Sequence, residues 1–180
     1  LEGRLHMLDY DKKFLIKSWD NLTFDGSSIR GFTAQRESDL RLGIDWSAFY
    51  WGPADVFGPG KVLVFGDVID KNGGPYTADI RGVLKLFADS MFKKEGYTLN
   101  AANEIEGFLF QTPDAERHYH ETGKFDYVNT GGYYHSLPGD PLRSFIDTTA
   151  EVQRSMGFQN EKDHPEVAPS QFEINYSYGE

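Results

Sequence analysis

The sequence predicts an α+β protein, in which a β-rich amino-terminal region is followed by a region where a helix precedes an acidic strand twice. Short β-type runs, separated by Gly, Pro and Asp, fill residues 1–74. Beyond them, two apolar stripes with helical spacing each precede a segment rich in Glu. We therefore expect two domains, at residues 1–75 and 76–180, with both acidic segments on one sheet and helices covering its other face.

In the first region, β-type runs are predicted at Lys13–Ile16 and within residues 57–67, around the apolar segment Val62–Phe65. Residues 70–75 combine Asp, Asn, two Gly and Pro, which is typical of a turn.

Caps and apolar stripes predict two helices in the second region. The first has Thr77 as its N-cap and ends at Gly96, and the second has Asp140 as its N-cap, Pro141 at its first position and Gly157 after its end. The apolar faces comprise Ile80, Val83, Leu84, Phe87 and Met91 in the first helix, and Leu142, Phe145, Ile146, Thr149, Val152 and Met156 in the second.

The acidic segments predict clusters of carboxylates. Because side chains alternate along a strand, Glu104 and Glu106 project together and Ile105 projects to the other face. In the second segment, residues 164–173, and in its continuation, alternation gives a polar face and an aromatic face. The polar face comprises Gln171, Glu173, Asn175 and Ser177, and the other face comprises Phe172, Ile174, Tyr176 and Tyr178.

If the two polar faces meet, four carboxylates converge, those of Glu104, Glu106, Glu166 and Glu173. Divalent cations would relieve the repulsion between them, and an oxygen-rich set of ligands favours Mg²⁺ or Mn²⁺. Zinc normally requires Cys or several His, and this cleft offers only His164. The alternative is that these Glu residues lie on the solvated face of an ordinary amphipathic strand.

The composition excludes several classes of function. A net charge of −10 argues against a nucleic-acid partner, because binding phosphate backbones requires clustered Lys and Arg. The absence of Cys excludes disulfides, thiolate metal ligands and a cysteine nucleophile. There is neither an apolar run long enough to span a membrane nor a signal segment, so we expect a soluble, cytoplasmic protein without a membrane partner. The chain begins at Leu1 without Met and ends just after a strand-like run, so we expect it to be part of a longer protein.

The polar segment between the acidic strands, residues 111–130, is predicted to be an irregular insertion. It contains His118 and His120, but no third ligand lies at a recognisable metal-site spacing, so we interpret both as surface residues.

Four motifs, in the same order along nearly the whole chain, resemble those of glutamine synthetase. The sequence FDGSSIRGF at residues 24–32, followed by ESD at 37–39, is similar to the family's first signatures. Glu104 and Glu106 match its E-x-E strand, GGY at residues 131–133 matches its G-G-Y-F segment, and residues 166–173 match its E-V-A-x-x-Q-x-E strand.

The resemblance implies a β-grasp-like amino-terminal domain, whose start is missing, and the first part of an antiparallel-sheet catalytic domain. It also implies a ligase that joins L-glutamate and ammonia with ATP as co-substrate through a γ-glutamyl phosphate. Members of the family form rings whose active sites lie between subunits, so it further implies a homo-oligomer.

For the site, the resemblance implies that Glu106, Glu166 and Glu173 hold the Mg²⁺ or Mn²⁺ nearest the glutamate, and that Glu104 holds the ion at the ATP phosphates. Asp25 would be contributed by a neighbouring subunit to bind ammonium and accept its proton. Tyr133 would line the mouth of that ammonium site.

The chain also departs from the family pattern. Pro165 replaces a His that often lies beside the metals, and Tyr134, His135 and Ser136 follow the GGY motif, where an acidic residue is frequent. These differences leave open a related ligase that acts on amines or polyamines. Because the family's downstream substrate-binding motifs are not in this sequence, we expect the chain alone to be inactive, and a non-catalytic metal-binding remnant remains an alternative.

Overall fold

A computed structural model describes residues 1, 3–128, 130–135 and 137–179. The helices are α1 (Lys12–Ser18), α2 (Ala54–Phe57), α3 (Ile80–Glu95), α4 (Ala115–Thr122) and α5 (Pro141–Ser155). The strands are β1 (Leu22–Asp25), β2 (Asp39–Trp51), β3 (Val62–Ile69), β4 (Glu104–Phe108), β5 (Asn160–Pro165) and β6 (Gln171–Tyr176). Among these described residues, no helix has both the length and the apolar character needed to cross a bilayer.

The chain divides into two compact units. The first comprises Leu1–Tyr50 and Val62–Leu99, and the second comprises Trp51–Lys61 and Asn100–Glu180. The domain limits expected at residues 75 and 76 stay a prediction.

The first unit contains a sheet in the order β1-β2-β3, with β1 and β2 antiparallel. Its core is formed by Phe32, Leu40 and Val68, and Tyr76 packs against Phe32 with ring centroids 5.0 Å apart. The Tyr76 hydroxyl donates to the Phe32 carbonyl at 2.7 Å, so the polar end of this ring is satisfied as well.

The structure differs from two of the sequence-based expectations for this unit. Lys13–Ile16 was predicted as β-type but lies in helix α1, because the Asp11 carboxylate caps the backbone amides of Lys13 and Phe14. The run expected from residue 57 begins only at Val62, since Phe57 ends α2. The turn at residues 70–75 is confirmed, with the Asp70 Oδ1 accepting two backbone amides of the turn.

Helix α3 is confirmed, but its N-cap is Asp79 rather than Thr77. The buried Asp79 carboxylate accepts a hydrogen bond from the backbone amide of Arg81. Its other oxygen accepts a hydrogen bond from the backbone amide of Val68 in β3, at 2.9 Å. Asp79 can therefore both cap the helix and attach it to the sheet. The helix ends as predicted at Gly96, which has a left-handed φ of 72°.

The second unit contains a sheet in the order β4-β6-β5, in which both strand pairs are antiparallel. Helix α5 packs on one face of this sheet, and its fully buried Leu142 and Ile146 lie in the core. The ring of Phe145 in α5 packs against that of Phe172 in β6, with the ring centroids 5.1 Å apart. Its caps are as predicted, since Asp140 accepts two amides of the first turn and Gly157 has a φ of 97°. These antiparallel sheets and the covering helix confirm the α+β class.

Residues 111–130 are not wholly irregular, because they contain helix α4, which Gly123 ends in a left-handed conformation. Residues two apart on a helix point in roughly opposite directions. Accordingly, the Nδ1 of His118 lies 2.6 Å from Asp126, whereas the Nε2 of His120 lies 4.0 Å from Glu116.

Candidate metal centre

The register of the second sheet aligns three chemically active side chains. Glu106 of β4 lies directly opposite Glu173 of β6, and Glu173 lies directly opposite His164 of β5. Residues directly opposite each other project to the same face of a sheet, so these three form one row. Helix α5 packs against Phe172, the neighbour of Glu173 in sequence, and thus covers the opposite face.

Glu104 lies in the adjacent row, opposite Asn175, whose other neighbour across the sheet is Lys162 of β5. Since Glu104 and Glu106 are two residues apart in a regular strand, the predicted shared face is observed. Both Glu residues are exposed, whereas Glu173 and Asn175 are buried.

Glu166 reaches the row from a hairpin loop rather than from a strand. The strand expected over residues 166–173 begins only at Gln171, and residues 166–170 connect β5 to β6. The Glu166 amide donates to the Gln171 carbonyl at 2.7 Å, which closes the loop. Ser170 is fully buried, has a φ of 61°, and donates its hydroxyl to the Val128 carbonyl at 3.1 Å.

The loop brings Glu166 together with Glu173 and His164. One ligand atom from each of these three side chains lies within 4.8 Å of the others, and among the described residues this is the one such group of three His, Asp or Glu. Glu104 and Glu106 lie outside this group. The four carboxylates predicted as metal ligands thus share a face without all converging on one point.

Two carboxamides hold the carboxylates of this face. The Nε2 of Gln171 donates to the Oε2 of Glu106 at 2.7 Å. The Nδ2 of Asn175 donates to the Oε1 of Glu104 at 3.1 Å and to the Oε1 of Glu173 at 2.7 Å. These neutral donors orient the carboxylates without cancelling their charge, so the face stays anionic.

His164 is oriented so that one ring nitrogen faces the cluster. Its Nδ1 lies 3.0 Å from the Pro165 carbonyl, which only accepts hydrogen bonds, so Nδ1 carries the proton. In the neutral ring, Nε2 then has a free lone pair, and it lies 3.8 Å from the Oε2 of Glu173. A hydrogen bond of this kind, made by the ring nitrogen that faces away from the ion, commonly orients a metal-binding histidine.

The donor set fits a hard divalent cation. It offers carboxylate oxygens and one imidazole nitrogen, a set suited to Mg²⁺ or Mn²⁺ and less to zinc, which usually binds Cys or several His. Glu173 is only 9% exposed, and a buried carboxylate requires a partner. Asn175, 5% exposed, has a buried Oδ1 without a hydrogen-bond partner among the described residues.

Tyr133 and Tyr134 lie beside His164, with ring centroids 5.8 and 4.9 Å from the imidazole and edge-on to it. The two tyrosine rings stack at 3.9 Å. Hydrogen bonding to Tyr134 raises the pKa of Tyr133 to about 12, with smaller contributions from desolvation and from the charges of Glu166 and Glu173. Tyr133 is therefore a neutral hydroxyl at physiological pH.

Asp25 ends β1 in the first unit, where it caps a short 3₁₀ turn. Its Oδ1 accepts from the amide and hydroxyl of Ser27 at 2.9 and 2.6 Å, and its Oδ2 accepts from the Ser28 hydroxyl at 3.2 Å. These hydrogen bonds, with that of the Ser27 hydroxyl the largest, lower the pKa of Asp25, so this exposed carboxylate is held ionised in a fixed orientation.

Comparison with known proteins assigns the chain to a family. Residues 77–180 match the family described as glutamine synthetase, catalytic domain. Glutamine synthetase of Methanosarcina mazei is 38% identical over 185 residues, and the match covers 92% of this chain and 38% of that protein. This chain belongs to the glutamine synthetase family. Glutamine synthetase of Clostridium saccharobutylicum is 36% identical over 183 residues, covering 99% of this chain and 39% of that protein.

Two solved structures have the same fold as this chain. A cryo-EM structure of Plasmodium falciparum glutamine synthetase superimposes with a TM-score of 0.68 at 20% identity, covering 95% of this chain and 37% of that one. A structure of GmaS in complex with ADP gives a TM-score of 0.69 at 19% identity, covering 93% of this chain and 37% of that one. The chain therefore spans less than two fifths of the length of these relatives.

The assignment of the four glutamates as metal ligands stays a prediction, and two features of this face were not predicted from the sequence. Sequence reasoning did not identify β5, which carries His164 into the row of Glu106 and Glu173. It placed Asn175 on the polar face without assigning it a role. The alternation of Gln171, Glu173 and Asn175 was the available signal, because it puts two carboxamides beside the carboxylates.

Proposed function

We propose that this chain is part of an ATP-dependent ligase that joins L-glutamate to ammonia through a γ-glutamyl phosphate. The observation that carries the proposal is the row of Glu106, Glu173 and His164, with Glu166 at its end, in a chain of the glutamine synthetase family. An anionic face of this kind could hold divalent cations, which would screen the repulsion between two anions, a carboxylate and a triphosphate, that must approach each other.

In the proposed site, Glu166 and Glu173, together with Glu106 opposite Glu173, would hold one divalent cation for the substrate glutamate, and Glu104 would hold a second for ATP. Bound Mg²⁺ or Mn²⁺ would neutralise charge on the transferred phosphoryl group. Gln171 and Asn175 support this assignment, because their hydrogen bonds keep the carboxylates in one arrangement.

The reaction has two steps. A γ-carboxylate oxygen of glutamate attacks the γ-phosphorus of ATP, and ADP leaves. Ammonia then attacks the acyl carbon, and phosphate leaves with the oxygen that came from glutamate. In this scheme, Asp25 stabilises bound NH₄⁺ and then accepts its proton. Its carboxylate is suited to both roles because it is ionised and held in one orientation. Tyr133 lines the entrance as a neutral hydroxyl.

The proposal extends to the assembly. Asp25 belongs to the first unit and the carboxylate row to the second, and we propose that the complete protein forms a ring in which Asp25 of one subunit serves the site of its neighbour. Because this chain covers 38% of the M. mazei enzyme's length, we expect the 180-residue chain alone not to synthesise glutamine at an ordinary ligase rate.

Isotope transfer in the complete protein tests the proposed reaction. Glutamate labelled with ¹⁸O in its γ-carboxylate is incubated with ATP, ammonia and Mg²⁺, and the released phosphate is analysed by mass spectrometry. The expected result is one ¹⁸O per released phosphate. Glu173→Gln should lose both turnover and this transfer of ¹⁸O. The control Glu116→Gln, at an exposed glutamate of α4, should retain both. Phosphate without ¹⁸O would exclude an acyl-phosphate ligase.

A further inference from the structure

Asn175 occupies an unusual position on the carboxylate face. It is a buried residue of β6, and its one amide group is shared between two carboxylates, those of Glu104 and Glu173. The two carboxylates come from different strands, 3.1 and 2.7 Å from the same nitrogen. The side chain therefore connects β4 and β6 through their acidic residues in addition to the backbone ladder.

The orientation of this amide follows from its neighbours. Carboxylate oxygens only accept hydrogen bonds, so the NH₂ group must face Glu104 and Glu173, and the opposite orientation would place an oxygen against both. Each of the two N–H bonds has one carboxylate acceptor, so the donor capacity is fully used. The Oδ1 is buried, with no hydrogen-bond partner among the described residues, and this leaves one acceptor for a ligand or an ordered water.

The Asn175 side-chain amide carries no charge, and this matters for cation binding. A lysine at this position would also hold two carboxylates, but its positive charge would repel a divalent ion placed between them. Asparagine fixes the carboxylates and leaves their full negative charge available. Because the side chain is 5% exposed, water cannot readily substitute for it.

We propose that Asn175 is a positioning residue that couples two cation positions. This inference rests on the proposed function, in which Glu104 and Glu173 bind different ions. When a cation orders Glu173, the shared amide holds Glu104 in place as well, so the second ion binds to a carboxylate that is already oriented.

The chain offers a matched control in Asn160 of β5. Its Nδ2 also donates to two side chains, Gln153 at 2.8 Å and Asp163 at 3.2 Å, and its Oδ1 is likewise buried without a partner among the described residues. Asp163, however, lies opposite Ile174, on the face that α5 covers. Removing the Asn160 amide thus removes the same chemical group from the other side of the same sheet.

The test is Mn²⁺ binding to the purified 180-residue chain, measured by the electron paramagnetic resonance signal of the free ion. In Asn175→Ala, Mn²⁺ affinity should fall about 10- to 100-fold, the usual effect of removing a residue that hydrogen-bonds to metal ligands, and the two binding events should become independent. Asn160→Ala should bind Mn²⁺ as the unmutated chain does. The same Kd and cooperativity in Asn175→Ala as in the unmutated chain would overturn the inference.

Glu173→Gln, measured in parallel, separates this inference from the proposed function. If Glu173→Gln loses Mn²⁺ binding and Asn175→Ala keeps it, only the coupling role fails. If the unmutated chain binds no Mn²⁺, or if Glu173→Gln binds it unchanged, the proposed metal centre and the coupling role both fail.

A measurement on the unmutated chain covers the case in which Asn175→Ala does not fold. In a ¹⁵N-labelled sample titrated with Mg²⁺, both Nδ2 protons of Asn175 should shift, because both are hydrogen-bonded to the carboxylates that respond to the ion. The Nδ2 protons of Asn160 should not shift. An Asn175 side-chain signal that is unaffected while the Glu173 backbone amide shifts would overturn the coupling role.

Discussion

Glu106 and Glu173 lie directly opposite each other in the register of β4 and β6. Like charges at directly opposed positions destabilise a sheet. The neutral donors Gln171 and Asn175 orient these two carboxylates but do not neutralise them. In the proposed site, a bound divalent cation would relieve this repulsion.

This relationship predicts opposite effects of Glu106→Gln with and without metal. Removing one charge should leave the metal-free chain equally stable or more stable, by about 0.2–1 kcal/mol. The rise in melting temperature caused by Mn²⁺ should become much smaller, since a ligand is lost. Thermal unfolding with and without Mn²⁺ measures both effects. Glu116→Gln should show neither change, and a full Mn²⁺-induced rise in Glu106→Gln would exclude Glu106 as a ligand.

The proposed sharing of sites between subunits predicts complementation in the complete protein. Subunits carrying Asp25→Ala and subunits carrying Glu106→Gln, each inactive by itself, should regain activity when mixed, at interfaces that pair an intact Asp25 with an intact Glu106. The activity of mixed, reassembled oligomers measures this. Absence of recovery in hybrids shown to have assembled would place Asp25 within its own subunit's site or outside catalysis.

Gly107, which follows the predicted ligand Glu106 in β4, lies opposite Phe172 and allows that ring to pack across the strand. A Cβ at residue 107 would lie 2.7 Å from the Cζ of Phe172, whose ring also packs against Phe145 of α5. Gly107→Ala should therefore destabilise the chain by about 1–3 kcal/mol through overpacking. It should also weaken Mn²⁺ binding, because a shift of β4 moves Glu104 and Glu106.

Urea unfolding and Mn²⁺ titration measure these two effects of Gly107→Ala. The control is Gly179→Ala, where a Cβ meets nothing within 4 Å and which should change neither quantity. Equal stabilities of Gly107→Ala and Gly179→Ala would show that the Phe172 ring moves aside at no cost.

The attachment of α3 to the first sheet predicts a dependence of stability on pH. Arg81 of α3 forms ion pairs with Asp45 of β2 and Asp67 of β3. Hydrogen bonding from Arg81, followed by that from Ser47, holds the pKa of Asp45 well below its usual range. A lowered folded-state pKa contributes stability that is present above the unfolded-state value of about 3.9 and is lost as the pH falls through the folded-state pKa.

Asp45→Asn should consequently be less stable than the unmutated chain at pH 7, and the difference should shrink as the pH falls below about 4. Urea unfolding at several pH values measures the difference. The exposed Asp55→Asn in α2 is the control and should show no such trend. If the difference in free energy of unfolding between Asp45→Asn and the unmutated chain is the same at every pH, the charge of Asp45 does not contribute to stability.

The parts of the fold that were predicted correctly depend on local chemistry. The helix at residues 141–155 was evident from Asp140, Pro141 and Gly157, because capping involves atoms only a few residues apart. The error at Thr77 shows the limit of this reasoning. Asp79 is the cap because its buried carboxylate also binds the Val68 amide, a contact eleven residues away in sequence that no local pattern reveals.

The sequence by itself determined the chemistry of the candidate site. The spacing of Glu104 and Glu106 places both carboxylates on one face of β4 whatever surrounds that strand, because side-chain alternation is a property of the extended backbone. The same holds for Glu173 and Asn175 in β6. Only the tertiary structure decided which side chains meet. The pairing of β5 and β4 with β6 brings His164 and Glu106 to opposite sides of Glu173, and strand register is fixed by contacts between distant segments rather than by neighbours in sequence.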